Sequence, residues 1–262
     1  MDRTWWHKQT PDQPLFPDLL WSRPENKRQA GKLLIIGGNA HGFAAPAEAF
    51  AAAGKAGAGT VRVVLPDSLQ KTVGQSFPDG EYAPSTPSGS FSRQALDELL
   101  DIAKWADAVM LAGDFGHNSE TAILLEKFAQ DYTGRLVLVG DAIDYFISVA
   151  ESILKRPDTL LVTDFAQLQK LAKKARWPQA FISGMDLLRL IDNLHNFTSQ
   201  FRASVIIEHS DNTIVAVNEQ VSTIKIKPSS LVSGAAAASV WWLQNPGKPF
   251  EAITTSRINK PA

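Results

Sequence analysis

The feature that most constrains the fold is the stretch at 31–65, GKLLIIGGNAHGFAAPAEAFAAAGKAGAGTVRVVL. An apolar run at 33–36 breaks at Gly37-Gly38-Asn39 and leads into a long alanine-rich helical pattern. Gly57-Ala58-Gly59 ends that pattern, and a β-branched run follows at 61–64. Because such a strand–helix–strand connection is a right-handed crossover between parallel strands, the stretch predicts part of a parallel sheet.

Further along the chain, strand-like runs continue to alternate with helical patterns, at 108–111, 136–139 and 159–162. This alternation is typical of a doubly wound sheet with helices on both faces. Three short strands follow without intervening helices, at 205–207, 213–217 and 221–226. They indicate antiparallel strands at the C-terminal edge. We predict one α/β domain over 31–262, preceded by an N-terminal arm at 1–30 with a short helix at 17–21.

Composition excludes several classes of function. The chain has 262 residues, a formal net charge of −1 and no cysteine. Without cysteine there is no disulfide and no thiolate chemistry. The balanced charge gives no general attraction to nucleic acid or anionic lipid, and no apolar run has the length of a membrane helix. We predict a cytoplasmic protein without a nucleic-acid or membrane partner, and a homo-oligomer assembled through the tryptophan-bearing helix at 229–243.

The glycine turn after the first strand lies where open α/β sheets bind ligands. Glycine lets a ligand approach the backbone amides closely, which suits an anion. The turn matches neither a dinucleotide fingerprint nor a P-loop, because Gly42 is the next glycine and no Lys-Ser or Lys-Thr follows it. A tight turn without a ligand is the alternative.

Three carboxylates, Asp114, Asp141 and Asp164, each follow a predicted parallel strand. Carboxylates that converge on one edge can act as a base or bind magnesium. Alternatively, Asp164 caps a helix and the other two fill turns. The five histidines lack the spacing of metal ligands, so the sequence predicts no metal site of its own.

The motifs at 31–65 resemble the opening of the ADP-dependent NAD(P)H-hydrate dehydratases. These are ribokinase-like proteins homologous to the C-terminal half of bifunctional nicotinamide-nucleotide repair enzymes. Weaker similarity runs to residue 256, where 112–116 resembles the family's GPGLG, 138–143 its LDADAL and 229–234 its GDVLAG segment. The resemblance implies a ribokinase-like fold and an ADP- or ATP-driven, magnesium-dependent dehydration of hydrated NADH or NADPH.

The resemblance also implies a set of site residues. The substrate is expected at Gly38, Asn39, Asp114, Gly116 and Asp164. The nucleotide cofactor is expected at Ser229, Ser230, Ser233 and Gly234. Asp141 and Asp114 are the candidate catalytic carboxylates that remain.

The departures from the family pattern fall on ligand positions. The family's GTGD loop cradles nucleotide phosphates at a helix N-terminus, and its aspartate is the expected base. Here that loop reads Lys227-Pro228-Ser229-Ser230. Pro228 has no amide hydrogen, and Ser230 replaces the carboxylate. In place of the family's Lys-Gly, Glu208-His209 would repel phosphate.

Three functions are compatible with these residues. The substitutions favour a divergent family member whose activity is impaired or lost and which works as a binding or interaction module. The first alternative is an active ADP/ATP-dependent NAD(P)H-hydrate dehydratase, a hydro-lyase. The second is a small-molecule kinase with a rebuilt site that uses one of the three aspartates as its base.

Overall fold

A computed structural model describes residues 3–74, 80–226 and 230–258. Its strands are β1 Trp6–Gln9, β2 Lys32–Gly37, β3 Thr60–Pro66, β4 Glu81–Ala83, β5 Ala108–Gly113, β6 Arg135–Val139, β7 Thr159–Thr163, β8 Ser204–His209, β9 Asn212–Val217 and β10 Gln220–Lys225. Its α-helices are α1 Pro17–Trp21, α2 Ala44–Lys55, α3 Gln70–Val73, α4 Leu96–Ala103, α5 Ser119–Asp131, α6 Ala150–Lys155, α7 Phe165–Lys174, α8 Leu187–Gln200, α9 Leu231–Gln244 and α10 Pro249–Thr255. In these ranges no helix is long and apolar enough to cross a membrane.

All of these strands belong to one sheet, in the order β1-β10-β9-β8-β7-β6-β5-β2-β3-β4. The strands from β4 to β8 in that order run parallel to one another. β9 is antiparallel to both β8 and β10. The predicted fold class is therefore confirmed: a mostly parallel α/β sheet with antiparallel pairing near the C-terminal edge.

The strand order reverses direction at β2. β2 pairs with β3 on one side and with β5 on the other. The chain first builds outward from β2 to β4 and then crosses back to β5. Such a switch point leaves a crevice at the carboxyl ends of the two strands, and it is the usual ligand site of open α/β sheets.

Helices cover both faces of the sheet, as predicted. One buried layer includes Phe128 of α5, Leu171 of α7 and Leu194 of α8. The opposite layer contains α2 and α9, which pack against each other, and most of their buried residues are small, such as Ala53 and Ala235. Small side chains let the two helices approach closely. As a result, α2 brings its first turns beside the start of α9.

The N-terminal arm is more ordered than its sequence predicts. Helix α1 is confirmed, but β1 was missed: it pairs in parallel with β10, placing Trp6 opposite Val221. Arg3 Nε lies 2.7 Å from Asp192 Oδ1 and fastens the arm to α8. The division into an arm and a domain stays a prediction.

The basis for the predicted homo-oligomer does not hold. Trp241 and Trp242 of α9 are only 7% and 2% exposed. They pack inside the protomer, because α9 lies between the sheet and α1 and α10. The tryptophan-bearing helix therefore offers no aromatic surface to a second copy, and the homo-oligomer remains a prediction without this support.

Candidate functional site

Glycines allow β2 and β5 to approach closely at the switch point. Gly37 pairs with Gly113 after a register shift that follows Ile36. The Gly38 amide then donates to the Gly113 carbonyl at 3.0 Å. A Cβ on Gly37 would lie 2.5 Å from that carbonyl oxygen, so only glycine fits. We call residues 37–42 and 113–116 the switch-point rim.

Asn39 links the two turns of this rim. Its backbone amide donates to the Gly42 carbonyl at 2.9 Å, which closes the first turn. Its side-chain Oδ1 accepts from the His41 amide at 2.8 Å. Its Nδ2 donates to the Asp114 carbonyl at 2.5 Å. Asn39 therefore holds the turns after β2 and β5 in a fixed arrangement.

Asp114, which follows β5, caps the N-terminus of α2, the helix that connects β2 to β3. Its backbone has a φ of 59°, a left-handed conformation that aspartate tolerates better than most residues. Its Oδ2 accepts from the Ala45 amide in the first turn of α2 at 2.7 Å. A carboxylate at a helix N-terminus satisfies an orphan amide and interacts favourably with the helix dipole.

Asp141 lies at the end of β6 and contacts the same rim. Its Oδ2 accepts from the Phe115 amide at 3.0 Å. Its Oδ1 is buried and has no hydrogen-bond partner among the described residues. Burial raises the pKa of Asp141, and the nearby negative charge of Asp114 adds to this effect, against the stabilising Phe115 amide. Such a carboxylate is suited to accept a proton.

The irregular segment at 84–92 forms one wall of the rim. The Gly89 carbonyl accepts from the Ala40 amide at 2.9 Å. Asn118 Nδ2 donates to Ser88 Oγ at 2.9 Å, and Asn118 Oδ1 also caps α5. Opposite this wall, the Tyr145 hydroxyl donates to the Gly116 carbonyl. The rim is thus enclosed by backbone that side chains from several elements hold in place.

Asp164 caps the N-terminus of α7, which is one of the two roles predicted for it. Its Oδ1 accepts from the Gln167 amide at 2.7 Å, and the Gln167 side chain returns to the Asp164 amide in a capping box. Gln167 Nε2 also donates to the Gly140 carbonyl at 2.8 Å. Asp164 therefore stabilises α7, and its role in substrate binding stays a prediction.

The start of α9, residues 230–234, is in contact with Glu48, a carboxylate of α2. Ser233 Oγ donates to Glu48 Oε1 at 2.6 Å. Burial alone would raise the pKa of Glu48, but hydrogen bonds from the Ser230 hydroxyl and from the Ser233 hydroxyl and amide hold it below its usual value. Sequence analysis missed Glu48. It is the one acidic residue of the alanine-rich helix Ala44–Lys55, and that was the available signal.

A buried arginine, also missed, lies against the same turn. Arg257 Nη2 donates to the Gly234 carbonyl. A Cβ on Gly234 would lie 2.8 Å from Arg257 Nη1, so the glycine makes room for the guanidinium. Burial lowers the pKa of Arg257 to about 10, and Glu208 partly offsets that effect.

The predicted site residues fall into two groups at the carboxyl edge of the sheet. Those of the switch-point rim, together with Asp141, form one hydrogen-bonded network: Gly38, Asn39, Asp114 and Gly116. The second group, Ser230, Ser233 and Gly234, contacts Glu48 and Arg257. Ser229, with Lys227 and Pro228, lies outside the described residues. Over 3–74, 80–226 and 230–258, no three histidine, aspartate or glutamate side chains are grouped to hold a metal ion.

Comparison with known proteins begins with a negative result: no protein-family model matches this chain. The chain is 33% identical over 106 residues to a bifunctional NAD(P)H-hydrate repair enzyme of Methanothermobacter thermautotrophicus, a match covering 40% of the chain and 20% of that enzyme. It is 35% identical over 119 residues to the corresponding enzyme of Methanocaldococcus jannaschii, covering 45% and 23%. The matches thus span about a quarter or less of these curated relatives.

Solved structures resemble the chain over nearly its whole length. A ribokinase-like superfamily protein from Enterococcus faecalis superposes with a TM-score of 0.74 at 16% identity, covering 98% of this chain and 87% of that one. An ADP/ATP-dependent NAD(P)H-hydrate dehydratase from Bacillus subtilis, co-crystallised with ATP and Mg²⁺, gives 0.61 at 10% identity, covering 93% and 85%. The chain therefore has a ribokinase-like fold and is similar, over less than half of its length, to two NAD(P)H-hydrate repair enzymes.

Proposed function

We propose that this chain is a ligand-binding member of the NAD(P)H-hydrate dehydratase group in which nucleotide-driven dehydration is impaired or lost. The observation that carries the proposal is the start of α9. Ser230 stands where the resemblance places the catalytic aspartate, and a serine hydroxyl without an adjacent base does not accept a proton at neutral pH. The carboxylate at this turn, Glu48, accepts a hydrogen bond from the Ser233 hydroxyl.

The described residues at the start of α9 do not fit a nucleotide phosphate. Phosphate binding at a helix N-terminus needs free amides and a favourable potential. Here the Ser233 hydroxyl is already bonded to Glu48. A phosphate placed there would meet a like charge, and repulsion between unit charges 4 Å apart costs about 4 kcal/mol near a protein surface.

The switch-point rim supports retained binding of a small polar molecule. Its turns are held by hydrogen bonds of the Asn39 and Asp114 side chains, so contacts within the chain fix the backbone around the switch point. Pre-formed crevices with a few convergent polar groups are typical ligand sites. Asp141 places a carboxylate beside these turns, where its Oδ2 accepts from the Phe115 amide.

One observation favours the second candidate, an active dehydratase or a kinase with a rebuilt site. Asp141 has a raised pKa and an unpaired oxygen beside the rim. These are properties of a general base. An active enzyme of either kind would use Asp141 for proton transfer, with magnesium and the nucleotide supplying the phosphoryl group.

A ligand titration followed by thermal unfolding tests the proposal. The intact chain is titrated with ADP, ATP–Mg²⁺, NAD and NADP. A ligand at 100 times its Kd stabilises the folded state by about 2.7 kcal/mol, which raises the Tm by several degrees. We expect no saturable rise with ADP or ATP–Mg²⁺. A saturable rise that disappears in Asp141→Ala would contradict the proposal and favour the second candidate.

A further inference from the structure

The start of α9 would be positive if Glu48 were removed. A 14-residue helix directs its N-terminal amides and the positive end of its dipole toward this turn. Arg257, which is 7% exposed, adds a guanidinium at the Gly234 carbonyl. Against this potential the structure places one carboxylate, Glu48, which accepts from the Ser233 hydroxyl.

Glu48 reaches the start of α9 because α2 packs against α9, and not because the two are close in sequence. It reaches α9 from α2, and Ser233 is 185 residues away in sequence. The close packing of the alanine-rich α2 and α9 brings the two together. The N-terminus of α2 is in turn capped by Asp114 of the rim. The glutamate therefore lies between the two groups of predicted site residues.

The side chains at the carboxyl ends of β5 to β8 are mainly acidic, whereas Lys225 ends β10 at the same edge. Asp114, Asp141 and Asp164 follow β5, β6 and β7, and Glu208 lies near the carboxyl end of β8. The guanidinium of Arg257 is buried and already bonded to backbone. A cleft lined by one sign of charge disfavours ligands of that sign. A phosphate ester would meet repulsion from both walls.

From these contacts we infer that Glu48 is the specificity-determining residue of this site. It occupies the anion position at the start of α9, excludes phosphate esters, and selects a ligand that carries an uncharged or cationic group there. The inference rests on the proposed function, since it explains why a ribokinase-like site does not take a nucleotide. It also names the class of ligand: a polar molecule without phosphate.

A purely structural role for Glu48, which would be to hold α2 and α9 together, would use the same contact with Ser233. The two roles differ in whether the negative charge of Glu48 matters. Glu48→Gln keeps the size of the side chain and an oxygen that accepts the Ser233 hydroxyl. It removes the negative charge from the start of α9. If Glu48 only joins the helices, the substitution leaves anion affinity unchanged. If Glu48 excludes anions, the substitution creates affinity for them.

The experiment measures binding of ADP, inorganic phosphate and adenosine by titration calorimetry to the wild type, Glu48→Gln and Glu48→Ala. Glu151→Gln on α6 is the matched control, because it removes one glutamate charge from an exposed Glu151–Lys155 pair on another helix. We expect both Glu48 variants to bind ADP at least ten-fold more tightly than the wild type, with affinity that falls as salt rises. Adenosine affinity should be the same in all of these proteins. The Glu151→Gln protein should bind ADP with the affinity of the wild type.

Three results would overturn the inference. They are tight ADP binding by the wild type, no gain in either Glu48 variant that folds by far-UV circular dichroism, and an equal gain in Glu151→Gln. Its failure is distinguishable from failure of the proposed function. Turnover of NADH hydrate by the wild type would refute the proposed function, whereas an unchanged ADP affinity in inactive Glu48 variants would refute the inference alone.

Discussion

The two groups of predicted site residues are built in different ways. In the switch-point rim, side chains bind backbone: Asn39 holds the Asp114 carbonyl, Asp114 holds the Ala45 amide and Asp141 holds the Phe115 amide. At the start of α9, Glu48 of α2 accepts a hydrogen bond from the Ser233 hydroxyl. The rim therefore preserves the shape of the crevice, while the start of α9 sets the charge that a ligand meets. The shape of a site and the charge inside it can therefore vary independently.

The largest expected effect concerns the shape of the rim. Gly37→Ala would place a Cβ 2.5 Å from the Gly113 carbonyl oxygen. Backbone must move to relieve this overlap, and we expect a loss of about 2–3 kcal/mol of unfolding free energy. Gly54→Ala in α2 is the control, because nothing lies within 4 Å of its Cβ position. Alanine is the better helix former, so this variant should gain about 1 kcal/mol.

Urea denaturation of the two variants decides this point. Opposite signs for Gly37→Ala and Gly54→Ala support a rim that depends on close approach of β2 and β5. Equal small effects would show that the backbone at the switch point yields easily and that the rim is not rigid.

A smaller effect is expected from the capping aspartates. Asp114→Ala leaves the Ala45 amide without its partner, and Asp164→Ala does the same to the Gln167 amide. Each should cost about 1–2 kcal/mol. Amide hydrogen exchange locates the damage, which should reach α2 and the rim in Asp114→Ala but remain in α7 in Asp164→Ala. Faster exchange of rim amides in Asp164→Ala would mean that Asp164 belongs to the rim.

The smallest expected effects are opposite changes of folding stability with pH in the two regions. The pKa of Asp141 is raised in the folded state, so the folded state binds more protons and wild-type stability falls as the pH rises from about 4 through that raised pKa. The pKa of Glu48 is lowered, so its contribution is present above its unfolded pKa and is lost as the pH falls through the folded value.

Unfolding free energies of Asp141→Asn and Glu48→Gln across acidic and neutral pH test both signs. Relative to the wild type, Asp141→Asn should become more stable as the pH rises toward neutrality. Glu48→Gln should become less stable over the same change. If the unfolding free energies of both variants changed with pH in the same direction relative to the wild type, the proposed difference between the two regions would be wrong.

The sequence predicts most of the fold because its signals are local. Alternating strand and helix patterns and the glycines of 31–65 lead to the parallel sheet and to the rim. Asp164 also caps its helix as one of the two alternatives stated. Strand β1 was missed because Trp6–Gln9 has only four residues without apolar alternation, and its pairing with β10 is a contact across the whole chain.

The rest of the site depends on contacts between residues far apart in sequence. Glu48 meets Ser233, and Arg257 meets Gly234, only after the helices have packed. No periodicity or spacing encodes these pairs. The homology directs attention to Ser229 and Ser230 and passes over Glu48, because the repair-enzyme motifs quoted above have no such residue.

The central claim is that this ribokinase-like chain no longer performs nucleotide-driven dehydration, and a repair assay tests it most directly. The purified chain is incubated with NADH hydrate, Mg²⁺ and either ADP or ATP, and recovery of NADH absorbance is followed, with the Bacillus subtilis dehydratase as the positive control. We expect the chain to give no recovery above the background without protein. Recovery that saturates with nucleotide and is abolished by Asp141→Ala would contradict the account.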